Sequence, residues 1–169
     1  MKIIDIHTHI YPNKIAQKAT DSIKSFYQLG GGGMDGTEKM LREKGKEAGI
    51  SRFVILPVAI RPDRVMGIND FIRSRTAGKP EYVGFGTIHA GMEAPAEEAE
   101  RLLFMGLRGI KMHPDSQRFA IDDLRLFPMY DAARGRLPIM LHMGDNRYDY
   151  SHPIHLRRVL NLFPGLQVI

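Results

Sequence analysis

Short apolar, β-prone runs recur along this chain at residues 2–7, 53–57, 82–88, 108–113, 138–142 and 166–169, with amphipathic stretches between them. Alternation of this kind predicts βα units built around a parallel sheet. Most of the runs are near-continuously apolar and bounded by Gly or Pro, the pattern of strands covered on both faces. The helical stretches carry their own start and stop signals. Asp63 is placed as an N-cap, Val65, Ile68 and Ile72 fall on one face, and Gly78 closes the end. Pro95 suits a first helical position, Leu102 and Leu103 supply a core face, and Gly106 stops that helix. After Pro153, Leu156, Val159, Leu160 and Phe163 keep helical spacing until Pro164 and Gly165. The first crossover, residues 9–52, is the longest, and its glycine run 30–33 reads as a mobile loop between two helical stretches.

The units count to five complete and the start of a sixth. A (β/α)8 barrel needs eight and typically about 250 residues. At 169 residues the chain is expected to be α/β of the TIM-barrel type, an incomplete barrel of about five to six βα units forming a single domain over 1–169. An open doubly wound sheet is the alternative that fits the length without a missing part.

Composition narrows the chemistry. The chain has no Cys, which removes disulfides, thiolate metal sites and Cys nucleophiles and leaves His, Asp, Glu and Lys as ligands or bases. Its net charge of +5 is spread through mixed segments such as Glu38-Lys39-Met40-Leu41-Arg42-Glu43-Lys44, a solvated helix face and not the dense basic stripe that nucleic acid calls for. The longest apolar run, residues 53–60, contains Pro57 and is far short of the roughly 20 residues that span a bilayer. No nucleic-acid or membrane partner is expected, and the absence of a signal-like N-terminus points to the cytoplasm.

Three strand ends carry histidine. In Asp5-Ile6-His7-Thr8-His9 the period of two sends Asp5, His7 and His9 to one face, with Ile4 and Ile6 outward. Two imidazoles at the C-terminal end of a barrel strand are well placed to hold a divalent ion, although a surface pair at a strand end has the same spacing. In Gly109-Ile110-Lys111-Met112-His113-Pro114, Lys111 and His113 again share a face. A Lys on the inner face of a buried strand is costly unless it meets an anion or an acid, or snorkels to the mouth of the sheet. His113 alone could cap a neighbouring loop. The third segment, Pro138-Ile139-Met140-Leu141-His142-Met143-Gly144-Asp145, delivers His142 to the same point of its βα unit. Asp145 then either orients an imidazole or caps a loop. His89, ending the third run, is a further candidate for the same mouth, while His152 and His155 flank a helix start and read as surface residues.

These three segments, in this order, resemble the amidohydrolase superfamily, and most closely the branch similar to aminocarboxymuconate semialdehyde decarboxylase. The resemblance spans nearly the whole chain. It implies a distorted (β/α)8 barrel binding one divalent ion, Zn2+ or alternatively Mn2+, at the C-terminal mouth. As metal ligands it implies His7, His9 and His142, and it puts Lys111 and His113 at the substrate pocket or the metal. Members continue past strand six with a His, and strand eight supplies an Asp that binds metal and handles the proton of the activated water. This chain reaches strand six at Val168-Ile169, so it is expected to be the N-terminal part of such a barrel.

The expected function is therefore that of a metal-dependent hydrolase. His7, His9 and His142 fix the ion, its bound water attacks a small carboxylated or amide-like substrate, and Lys111 and His113 stabilise the oxyanion or hold a substrate carboxylate. A decarboxylase or hydratase on the same scaffold is the nearest alternative, with Lys111 and Arg118 suiting an acidic substrate. Phosphoesterases that open with Asp-x-His-x-His fit less well, because the segments around Lys111 and His142 do not resemble theirs. A catalytically incomplete fragment is the remaining possibility. Its unpaired first and last strands would favour a homo-oligomer through exposed strand edges.

Overall fold

The structure is a computed structural model that describes residues 2–30 and 33–169. Gly31 and Gly32, the middle of the glycine run expected as a loop, lie outside the described residues. The chain divides into two compact units, one running to Ile55 and including Gly78–Val83, the other comprising Leu56–Ala77 and Gly84–Ile169.

The first unit contains β1 (Ile3–Thr8), α1 (Ala16–Tyr27), α2 (Glu38–Glu47), β2 (Ile50–Ile55) and the start of β3 (Tyr82–Gly84). The strand order is β1-β2-β3, with β1 and β2 parallel. The two expected helices of the long crossover are both present. The second begins on a capped turn, where Thr37 Oγ1 accepts from Met40 N at 3.1 Å and is itself held by Asp35. Gly45 on α2 is required by packing, since a Cβ there would collide with the Phe53 ring of β2. Ile4 and Ile6 point outward as the alternation predicts but are 52% and 56% exposed, so β1 is not the fully covered strand expected from its apolar sequence.

In the second unit a 3-10 turn (Pro62–Arg64) leads into α3 (Val65–Thr76), followed by β4 (Gly86–Thr87), α4 (Pro95–Phe104), β5 (Ile110–Met112), α5 (Pro114–Gln117), a 3-10 turn (Leu124–Leu126), α6 (Phe127–Ala133), β6 (Ile139–Leu141) and α7 (Pro153–Leu162). Strands β4-β5-β6 pair in chain order and in parallel, Lys111 lying between Thr87 and Met140. The sixth apolar run continues the pattern through a parallel bridge between Ile139 and Val168. The core of this unit is apolar and fully buried, with Leu102, Ile110, Met112, Ile121, Leu126 and Met129 all shielded from solvent.

Three local expectations are corrected. The run 82–88 is two short strands in different sheets, because Phe85 interrupts it. Gly84 O accepts from Arg108 N, Gly86 N donates to Gly109 O, and the Phe85 ring between them fills the space that a Cβ at Gly109 would need. Asp63 does not cap α3. It sits inside the preceding 3-10 turn with its carboxylate bound by Arg61 at 2.9 Å through both oxygens. His155 is not a surface residue. It is buried on α7 with Nδ1 2.7 Å from Asp122 Oδ1, an ion-pair contact without hydrogen-bond alignment, and Nε2 3.3 Å from Asp149. His152 is exposed and caps α7, its Nδ1 accepting from Ile154 N. No helix among the described residues is long and apolar enough to cross a membrane.

Candidate functional site

Strand β5 delivers the first two groups of the site. Its central position puts Lys111 in the middle of a three-stranded sheet, and the side chain is 1% exposed. The amine does not snorkel to water. Burial alone pushes it from 10.5 down to about 8, and among the described residues it has no carboxylate partner in ion-pair range. His113 follows at the end of the strand, where Pro114 starts a helix by occupying the position that needs no N–H donor. The backbone turns there into the single-turn helix α5. His113 caps it, its Nδ1 accepting from Ser116 N at 3.3 Å.

Strand β6 brings His142 alongside. Its N–H donates to Met112 O, which continues the β5–β6 ladder one residue past the strand, and the two imidazoles stack with centroids 3.9 Å apart and planes 13° from parallel. Burial pushes His113 down to about 3, with the neighbouring His142 and Lys111 adding to the effect. Burial and then Lys111 lower His142 as well. Both rings are thereby kept neutral, the form that offers a nitrogen lone pair.

Asp115 completes the cluster. It is 2% exposed, and among the described residues neither of its carboxylate oxygens has a hydrogen-bond partner. One potential ligand atom from each of His113, Asp115 and His142 lies within 4.8 Å of the others. A buried, unpartnered carboxylate is costly by itself, and with the neutral imidazole of His142 it offers donors of the kind that a borderline divalent cation takes. The residues present therefore fit a metal ion.

The other histidines are placed as follows. His7 and His9 lie in the first unit with ring centroids 5.2 Å apart, and Asp5 Oδ1 accepts from His7 N at 3.0 Å. His89 is half-buried, edge-on to Phe119, with Nδ1 accepting from Gly91 N. Asp145 caps its own loop. Arg147 binds both carboxylate oxygens and holds the group down to about 2. That loop walls a cleft of about 550 Å3 between Gly144 and Pro153. Arg118 is exposed and left-handed, with φ 60°, and takes no place in the buried cluster. Asp115 and Gln117 were not singled out by sequence. The available signal was Pro114 directly after a strand-end His, which folds the next turn back over the strand terminus.

The profile of a family described as Amidohydrolase matches residues 4–169. The chain belongs to the amidohydrolase family. Among solved structures it is similar to a probable 2-pyrone-4,6-dicarboxylic acid hydrolase from Acinetobacter baumannii crystallised with citric acid bound, at 13% identity and a TM-score of 0.54. The match covers 99% of this chain and 57% of that one, so the amidohydrolase chain spans little more than half the neighbour's length. No curated protein matches it. Family and neighbour together identify the parallel βα architecture as the TIM-barrel-like α/β fold of amidohydrolases.

Proposed function

We propose that this amidohydrolase is a metal-dependent hydrolase acting on a small carboxylated or amide-like substrate. The observation that carries the reading is Asp115, a buried carboxylate with no hydrogen bond to either oxygen among the described residues, set beside His142 and His113. When bound, a divalent ion such as Zn2+ or Mn2+ supplies Lewis acidity and lowers the pKa of water toward about 7. Its donors in this reading are His142 and Asp115, together with His7 and His9 as the sequence resemblance implies.

His113 acts differently. Its Nδ1 is taken up as an acceptor by Ser116 N–H, so the neutral ring carries its proton on Nε2 and donates from there. A fixed, neutral N–H donor in a buried site stabilises the oxyanion that develops as a carbonyl is attacked. Lys111 is a buried cation with no carboxylate in ion-pair range among the described residues, which suits a substrate carboxylate or the same oxyanion. Catalytic roles fall to Lys111 and His113, and metal binding to the other four.

Elemental mass spectrometry on the purified chain tests this without a substrate. About one equivalent of metal is expected in the wild type and in His113→Ala, with loss in His142→Ala, in Asp115→Ala and in the His7→Ala, His9→Ala double variant. Metal retained by His142→Ala would overturn the assignment. Product analysis then separates hydrolysis from the lyase alternative, since decarboxylation releases CO2 and hydration adds water without cleavage.

A further inference from the structure

Gln117 is 3% exposed and ends the single turn that His113 begins. Its side chain bonds three separate segments of the second unit. Oε1 accepts from His113 N at 2.8 Å, and Nε2 donates to Ala59 O at 2.8 Å and to Ile88 O at 2.9 Å. One orientation of the amide alone meets this pattern, because two carbonyl oxygens need the NH2 group and one N–H needs the oxygen. A helix of four residues has no stability of its own, since nucleating a turn costs more than its one or two bonds return. Something outside α5 must therefore hold it, and Gln117 ties it to chain 58 and 29 residues away.

That turn is what places Ser116 N–H on His113 Nδ1. Ser116 Oγ and Gln117 N also donate to His113 O, so both backbone groups of His113 and one ring nitrogen are engaged by the four residues that follow it. We infer that Gln117 is a positioning residue, which holds the α5 turn closed and so fixes His113 as the Nε2–H tautomer. The inference rests on reading His113 as the N–H donor of the proposed reaction, and it assigns Gln117 no contact with substrate.

The test is the 15N shift pair of the His113 ring in labelled, metal-free protein, a signature that a loss of general stability does not move. In the wild type one nitrogen is expected at the protonated position and the other at the unprotonated one. In Gln117→Leu the two shifts are expected to move toward each other as the tautomers mix. Asn69→Leu is the matched control. Asn69 is an equally buried amide of the same unit with bonds to Thr87 N, Thr87 O and Glu98, none of them to His113. It should lower stability and leave the His113 shifts in place. Gln117→Glu keeps an acceptor for His113 N and loses both donors, so its shifts should fall between wild type and Gln117→Leu. Should Gln117→Leu not fold, Gln117→Glu carries the comparison. Unmoved shifts in a folded Gln117 variant, or an equal movement in Asn69→Leu, would overturn the inference. Absence of metal from the wild type would overturn the proposed hydrolase and leave this result standing.

Discussion

His113 and His142 come from neighbouring parallel strands and stack face to face, 3.9 Å between centroids. Each is the first residue past its strand, so the pairing of Met112 with Leu141 sets the two rings side by side. Two positive charges at that separation repel, and burial disfavours even one. The folded values therefore lie below the ordinary 6.5, His113 at about 3. Since the unfolded chain takes up these protons first, stability of the metal-free protein should fall as pH drops below about 6.5, and go on falling toward about 3. Urea midpoints from pH 7 to pH 5 with a chelator present check this, and His113→Gln should flatten the slope.

Asp115 should show opposite effects on stability and on metal binding. Replacing its unpartnered carboxylate by an amide, in Asp115→Asn, removes a buried charge and should stabilise the metal-free protein by about 1–3 kcal/mol. The same change removes a charged donor and should weaken zinc uptake at least tenfold, read by calorimetric titration. A destabilised Asp115→Asn would mean that the carboxylate is satisfied in solution.

His155 gives a pH dependence of the other sign. Burial opposes its charge, but the contacts with Asp122 and Asp149 outweigh burial and hold the imidazole above 6.5; Arg158 and His152 are the other charged or titratable groups beside it. The stability it contributes is present in full below about 6.5 and is lost as pH rises through the raised folded value. The difference in Tm between wild type and His155→Gln should be largest near pH 6 and shrink by pH 8.5.

Two glycines separate packing from propensity. Gly109 lies under the Phe85 ring, and Gly109→Ala should cost about 1–3 kcal/mol by overpacking. Gly67 sits exposed on α3 with nothing within 4 Å of an added Cβ, and Gly67→Ala should stabilise by about 1 kcal/mol. Denaturant midpoints of the two variants should move in opposite directions.

Local pattern was enough to read the strand-end histidines, the helices that begin at Pro95 and Pro153, and the parallel βα order. Each depends on a period of two or 3.6, or on a cap or breaker a few residues away, so a sequence window contains it. Tertiary structure alone decided the break at Phe85 and the burial of His155 against Asp122. It also decided the grouping of Asp115 with two imidazoles and the anchoring of α5 by Gln117. The bonds that make Gln117 matter reach Ala59 and Ile88, and those that bury Asn69 reach Thr87 and Glu98. A side chain that satisfies backbone groups tens of residues away leaves no periodicity behind. Its role becomes readable only when packing has brought those segments together.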